Sequence, residues 1–158
     1  MARPNFVKKA RKDIAGTDIK AGDSYWWWSF RFGGKRYSKT QPKRSQLTQS
    51  SFYSQIYDLE DRGFSGASLD DLESERDEMV ADLENLRDEC QSSLDNMPDS
   101  LQYSPTGELL QARIDGLEST ADQFQSVDFD FDDNGDTSLE DFIEDKRNEL
   151  SDVSFEYE

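Results

Sequence analysis

Aromatic and polar residues alternate through 25–40, YWWWSFRFGGKRYSKT, and the alternation breaks at Gly33 and Gly34. Two alternating runs around a Gly-Gly step are typical of a β-hairpin with a tight two-residue turn. Successive side chains of a strand point to opposite faces, so this hairpin would have one apolar face and one polar, basic face. The apolar face would carry Trp26, Trp28, Phe30 and Phe32, and the other would carry Tyr25, Trp27, Ser29, Arg31, Arg36 and Ser38.

The same turn would place Arg31 directly opposite Arg36, and Phe30 opposite Tyr37. Like charges at opposed positions destabilise a sheet, so this pair suggests an anion held between the two guanidinium groups. A phosphate would serve, and so would a carboxylate from the acidic half of the same chain. The sequence leaves both open.

A helix is predicted over 49–62, directly after the hairpin. Its apolar residues Phe52, Ile56 and Leu59 recur at helical spacing. Thr48 precedes it and is a suitable N-cap. This helix is expected to cover the apolar face of the hairpin.

Two longer helices are predicted next, and both show the three-four alternation of apolar residues that is typical of coiled coils. The first begins after the N-cap Ser68 and ends before Pro98, with Arg76 at one seam position. The second begins after the N-cap Thr106, and the loop over 98–105 would join the two helices as an antiparallel pair. The apolar seam residues are Leu69, Leu72, Met79, Leu83, Leu86, Cys90, Leu94 and Met97 in the first helix, and Leu110, Ile114, Leu117, Ala121 and Phe124 in the second.

The C-terminal part of the chain is predicted to add one short helix. Thr137 and Glu140 match a capping box ahead of a helix over 138–150. The tail after this helix alternates apolar and polar residues and is predicted to form a short strand. The apolar residues of the tail are Val153, Phe155 and Tyr157.

These elements predict an α+β protein. A basic N-terminal β-hairpin covered by a helix would be followed by an acidic antiparallel helical hairpin and a short C-terminal helix. The expected domains are 1–64 and 65–158.

The distribution of charge divides the chain into a basic N-terminal part and an acidic remainder. The net charge is -17, but residues 1–45 hold 12 Lys/Arg against 3 Asp/Glu, and residues 46–158 hold 6 Lys/Arg against 32 Asp/Glu. A basic segment attracts polyanions, whereas a strongly acidic one attracts basic surfaces. Acidic residues on solvated helix faces also serve solubility alone, and the sequence leaves that reading open.

The side-chain inventory excludes several kinds of chemistry. Cys90 is the sole cysteine and histidine is absent, which excludes an intrachain disulfide, the usual Cys/His zinc site and histidine catalysis. We therefore expect a protein that is not an enzyme, with Cys90 packed in the helical seam. No apolar run approaches the ~18 residues of a membrane-spanning helix, and no signal peptide is indicated, so a cytoplasmic protein without membrane contact is expected.

Two sets of residues are candidates for binding a partner. The first is a basic and aromatic set that could stack on bases and hold phosphates; its members are Tyr25, Trp27, Arg31, Lys35, Arg36 and Lys39. The second is the acidic surface of the first long helix, which carries 11 Asp/Glu against 2 Lys/Arg over 68–97. Its members are Asp70, Asp71, Glu73, Glu75, Asp77, Glu78, Asp82, Glu84, Asp88 and Glu89.

One acidic loop partly matches the EF-hand calcium pattern. Asp130, Asp132, Asn134 and Asp136 would be ligands at the first, third, fifth and seventh positions. The match fails at the twelfth position, where Asp141 replaces the bidentate glutamate. Calcium is therefore a weak candidate, an acidic turn is the alternative, and no other cofactor is expected.

Two stretches resemble segments of small bacteriophage-encoded proteins whose activity is not characterised: GDSYWWWSFRFGGKRYSKT and DECQSSLDNMPDSLQYSPTGELLQARIDGLES. The hairpin and following helix are also similar to the arm-binding domain of phage integrases, in which a sheet reads DNA. Trp28, Arg31, Lys35 and Arg36 carry that likeness loosely, and the acidic half departs from it. The resemblance implies a protein that acts in the cytoplasm of an infected bacterium.

The leading hypothesis from sequence is a phage-type inhibitor without enzymatic activity. Its acidic, DNA-mimicking surface would occupy the basic channel of a host nucleic-acid-handling protein, of the defence, CRISPR or restriction kind. The alternative is an accessory protein that binds nucleic acid through the basic aromatic hairpin. A third hypothesis is a homo-oligomer formed through the seam of the first long helix.

Overall fold

The structure is a computed structural model of the chain, and it describes residues 1–132 and 138–157. The chain divides into two compact units, Met1–Asp61 and Arg62–Glu158. We call the first the basic unit, because it holds 12 Lys/Arg and 6 Asp/Glu. We call the second the acidic unit, because it holds 6 Lys/Arg and 29 Asp/Glu.

The basic unit contains an antiparallel three-stranded sheet, followed by a helix. Its strands are β1 (Asn5–Val7), β2 (Tyr25–Phe30) and β3 (Gly34–Ser38), in the order β1-β2-β3. With the helices that follow, this sheet confirms the α+β class. Strand β1 was not predicted, and it pairs with β2 so that Phe6 lies opposite Trp26 with their ring centroids 5.0 Å apart.

The turn between β2 and β3 differs from the prediction. Phe30 pairs with Gly34, so the turn consists of Arg31, Phe32 and Gly33. A three-residue turn needs a residue with positive φ at its end, and Gly34 supplies it with φ 72°. The predicted two-residue turn is therefore wrong.

The longer turn also changes which residues of β3 share a face with β2. Arg36 lies opposite Trp28, and Tyr37 lies opposite Trp27. The predicted pairs Arg31–Arg36 and Phe30–Tyr37 are wrong, because the pairing is displaced by an odd number of residues and an odd displacement exchanges the faces. Arg36 and Ser38 therefore lie on the Trp28 face rather than on the Trp27 face.

Helix α1 (Ser51–Glu60) follows a short 3₁₀ turn at Arg44–Leu47. Its N-cap is Ser50, whose side chain accepts a hydrogen bond from the backbone N–H of Tyr53, and not Thr48 as predicted. The predicted core positions Phe52, Ile56 and Leu59 are buried.

Two helices form the core of the acidic unit, α2 (Leu69–Asp95) and α4 (Pro105–Gln125). They run antiparallel: Arg76, near the start of α2, donates to the carbonyl oxygen of Val127, just past the end of α4. The seam is as predicted over most of its length. Its fully buried side chains include Leu72, Met79, Leu83 and Leu86 of α2, and Leu117 and Phe124 of α4.

The connection between these helices is more ordered than the predicted loop over 98–105. It contains a short helix, α3 (Asp99–Gln102), and α4 begins earlier than expected, with Ser104 as its N-cap and Pro105 in its first turn. Thr106 is therefore inside the helix rather than its cap. Ser68 caps α2 as predicted, in a capping box with Asp71.

The last helix, α5 (Leu139–Ser151), is capped by Ser138, whose hydroxyl accepts from the backbone N–H of Asp141. The predicted cap Thr137 lies outside the described residues. The tail does not form the predicted strand. Instead it lies along α4, where the Phe155 ring packs edge-on against Phe124, with ring centroids 5.8 Å apart.

Candidate nucleic-acid interface

One face of the β2–β3 hairpin combines aromatic rings with an ammonium group. Trp27 of β2 and Lys35 of β3 lie close together on this face, and the Lys35 Nζ atom lies 4.9 Å from the centroid of the Trp27 ring. The Tyr25 and Tyr37 rings lie next to them with centroids 6.2 Å apart, and all three rings are half-buried. Half-buried rings beside an exposed cation can stack on a base while the cation holds a phosphate.

The turn of the hairpin presents a further ring. The Phe32 side chain is 87% exposed, although its predicted position was on the covered apolar face. That prediction is wrong because Phe32 is a turn residue, not a strand residue. The Arg31 guanidinium carbon lies 5.3 Å from the centroid of the Phe32 ring.

The opposite face of the sheet carries Trp28, which is the one buried residue of β2 and β3. Trp28 is 4% exposed, and a cavity lies between its strand, Arg36 of β3 and the 3₁₀ turn. The Trp28 Nε1 atom is buried with no hydrogen-bond partner among the residues that the structure describes. The residues lining the cavity are Trp28, Phe30, Arg36, Tyr37, Gln46, Thr48 and Gln49.

Several cations of the basic unit are neutralised within it. Lys39, one of the predicted anion-binding residues, pairs with Asp23 at 3.0 Å. A hydrogen bond from the backbone N–H of Lys20, together with the Lys39 ammonium group, holds the pKa of Asp23 below its ordinary value. Arg44 pairs with Glu60 at 2.7 Å and lies over the Tyr57 ring.

The hairpin's own cations differ from these. No carboxylate lies within 4.0 Å of Arg31, Lys35 or Arg36 in the part of the chain that the structure describes. The local sequence contributes to this, because residues 24–57 hold six Lys/Arg and no Asp or Glu. The positive charge at this end of the sheet is therefore available to an anion from outside the unit.

The ten predicted acidic residues all lie on α2, but several of them have structural roles. Glu73 and Asp77 bind Arg76 at 3.0 Å and 2.8 Å, and Asp71 completes the capping box. Glu75 accepts hydrogen bonds from the backbone N–H groups of Ser65 and Gly66 and so anchors the loop before α2.

Other acidic residues of α2 are partly or largely exposed. Asp82 pairs with Arg62 and Asp88 with Arg87, both in partly exposed salt bridges. The remaining members of the predicted acidic set are exposed on the helix surface; they are Asp70, Glu78, Glu84 and Glu89.

Arg76 and Cys90 both lie in the helical seam, where Arg76 is partly buried and Cys90 is buried. Arg76 occupies the polar seam position that the sequence indicated, and its guanidinium group lies over the Phe129 ring at 5.0 Å as well as on the Val127 carbonyl oxygen. Cys90 is 5% exposed, and burial raises the pKa of its thiol. The seam of α2 is thus filled by the chain's own α4.

Two of the four candidate calcium ligands lie among the described residues. Asp130 and Asp132 are exposed, whereas Asn134 and Asp136 lie outside the described residues. Within residues 1–132 and 138–157, no group of three or more Cys, Asp or Glu side chains is arranged to hold a metal ion.

Comparison of the chain with family models, with curated proteins and with solved structures finds no match. Among the described helices, none is both long enough and apolar enough to cross a membrane.

Proposed function

We propose that the chain is a non-enzymatic nucleic-acid-binding protein whose basic unit makes the contact through the β2–β3 hairpin. The observation that carries this proposal is that Arg31, Lys35 and Arg36 have no carboxylate partner among the described residues. Arg31 lies beside the exposed Phe32 ring and Lys35 beside the half-buried Trp27 ring, while Arg36 lies on the opposite face of the sheet. Cations that have no carboxylate partner in their own fold retain their full attraction for phosphates.

The cations and the aromatic rings have different roles in the proposed binding. The cations bind the phosphate backbone, which supplies affinity without reading sequence. The rings of Trp27 and Phe32 supply stacking surface, which every base can use because every base has a π-face. The proposed protein therefore binds with little sequence preference and with a strong dependence on salt.

The test uses two sets of variants that remove comparable positive charge. One set replaces the unpaired cations in Arg31→Gln, Lys35→Gln and Arg36→Gln combined. The control replaces three cations that already have carboxylate partners, in Lys20→Gln, Lys39→Gln and Arg44→Gln combined. Binding of labelled single- and double-stranded oligonucleotides is measured by fluorescence anisotropy, after circular dichroism has shown that each variant is folded.

The first set is expected to weaken binding by at least tenfold, and the control by much less. Equal losses in the two sets would mean that only net charge matters and that the hairpin is not the interface. Failure of the wild-type chain to bind either form of nucleic acid at low salt would overturn the proposal.

A second function is favoured by a separate observation in the acidic unit. Five of its six basic side chains bind a carboxylate or a carbonyl oxygen of the same unit; they are Arg62, Arg76, Arg87, Lys146 and Arg147. The surface presented to a partner is therefore dominated by carboxylates, which supports the hypothesis of a DNA-mimicking inhibitor. The partner would be a bacterial host protein with a basic nucleic-acid channel.

This second function predicts competition. The chain should displace DNA from such a basic protein, and the combined changes Asp70→Lys, Glu78→Lys and Glu84→Lys should abolish the displacement. These residues have exposed side chains, so the changes leave the packing of α2 intact. Displacement that survives all three charge reversals would exclude this face of α2 as the mimic.

A further inference from the structure

Phe32 is among the most exposed large hydrophobic residues of the chain, and it lies at the outermost point of a basic hairpin. Its side chain is 87% exposed. A phenylalanine in this position contributes nothing to the core, and its exposure costs free energy in the unbound protein. A bound partner that covers the ring would recover that free energy.

The backbone of the turn holds Phe32 outward. Gly34 has φ 72°, a conformation that other residues rarely adopt. A Cβ atom on Gly33 would lie 2.7 Å from the Gln49 side-chain nitrogen and 3.2 Å from Phe30 Cβ, so this side of the turn packs closely against its own unit. The ring of Phe32 is therefore presented on the side of the turn that faces away from these contacts.

The charges around the ring indicate the chemistry of the partner. Arg31 precedes it, and Lys35 and Arg36 follow it, without a carboxylate among residues 24–57. An apolar ring flanked by cations fits a nucleic acid, which offers flat apolar base surfaces between phosphates. A partner protein with a basic rim would be repelled by the same surroundings.

We propose that Phe32 inserts between two neighbouring bases of a bound nucleic acid while Arg31, Lys35 and Arg36 bind the flanking phosphates. This inference rests on the proposed nucleic-acid function and adds a specific intercalating residue to it. Insertion separates the two bases, and in a duplex it bends the helix at that step.

The test measures base separation directly. Oligonucleotides with 2-aminopurine at successive positions report unstacking as a rise in fluorescence, in single-stranded and in duplex form. The wild-type chain, Phe32→Ala and Phe32→Trp are compared with Tyr103→Ala. Tyr103 is a suitable control because it is also 87% exposed but lies in the acidic unit.

Wild type and Phe32→Trp are expected to raise the fluorescence, whereas Phe32→Ala should lose the rise and about tenfold in affinity. Its salt dependence should not change, because no charge is removed. The form of nucleic acid that gives the Phe32-dependent rise identifies whether a duplex step or a single strand is the ligand.

Two results would overturn the insertion. If Phe32→Ala binds with wild-type affinity and fluorescence, the ring does not insert, although the proposed nucleic-acid function stands. If the wild-type chain binds neither form of nucleic acid, both the insertion and the proposed function are wrong.

Discussion

The backbone N–H of Glu156 donates a hydrogen bond to the Thr120 hydroxyl oxygen at 3.0 Å, and that hydroxyl donates to the Gly116 carbonyl oxygen at 2.8 Å. Thr120 is fully buried by this arrangement. The C-terminal tail is therefore attached to α4 by a polar contact in addition to the packing of Phe155 on Phe124. The tail therefore packs against the surface of the acidic unit.

Gly116 allows the tail to approach this closely. A Cβ atom at Gly116 would lie 2.6 Å from the Glu156 carbonyl oxygen, a contact that cannot form without displacement. We predict that Gly116→Ala lowers the free energy of unfolding of the acidic unit by about 1–3 kcal/mol, the usual cost of overpacking. Urea denaturation followed by circular dichroism measures the change.

The same substitution in a chain that ends at Asp152 provides the control. Without the tail, alanine is the better helix former, and Gly116→Ala should then stabilise α4 by about 0.5–1 kcal/mol. A loss of stability in both backgrounds would show that the tail is not the cause.

Arg76 and Arg87 allow a comparison of two arginines on one helix. The Arg76 side chain is 13% exposed and binds Val127, Glu73 and Asp77. Arg87 is 31% exposed and pairs with the neighbouring Asp88. We predict that Arg76→Ala lowers the unfolding free energy by about 2–3 kcal/mol because a partly buried carbonyl and two carboxylates lose their donor.

Arg87→Ala is expected to cost only about 0–1 kcal/mol, as is typical of an exposed pair. Thermal or urea denaturation of the two variants under identical conditions measures both values. Equal effects would mean that Arg76 is a surface residue in solution and that the contact with Val127 does not persist.

The rate at which the Cys90 thiol is alkylated reports on the packing of the helical seam. The thiolate is the reactive form, and burial both raises the pKa of this thiol and shields it. We predict that alkylation of Cys90 is at least a hundredfold slower in the native chain than in urea, and that its rate follows opening of the seam. Fast labelling under native conditions, measured by mass spectrometry, would contradict close packing of α2 on α4.

The helices were the most predictable part of the fold. A three-four alternation directly reports which face of a helix is buried, and Leu72, Leu83 and Leu117 lie where that pattern places them. The caps were less predictable, because Ser50 and Ser104 compete locally with Thr48 and Thr106, and the sequence does not rank them.

The sheet was harder to predict because its pairing is set by the turn. A Gly-Gly step favours a two-residue turn, but in the structure the left-handed conformation falls on Gly34 at the end of a longer turn. That displacement transfers Arg36 to the other face and exposes Phe32. Strand β1 is three residues long and has no periodicity of its own, so its pairing with β2 could not be read from the local sequence.

The candidate site was predicted in its residues but not in its arrangement. Tyr25, Trp27 and Lys35 lie together, whereas Lys39 is bound by Asp23. The missed signal was the absence of acidic residues from 24–57, which a count of charges over the whole N-terminal third does not show.

Salt dependence of binding shows whether the hairpin cations contact phosphates. Affinity for a duplex and for a single strand is measured from about 50 to 200 mM salt, for the wild-type chain and for the variant that lacks the charges of Arg31, Lys35 and Arg36. Each lost phosphate contact should reduce the slope of log K against log salt by about 0.7–0.9, so the variant's slope should fall by about 2–3. An unchanged slope, with binding retained, would show that these cations do not touch phosphates and would contradict the assignment of the hairpin as the interface.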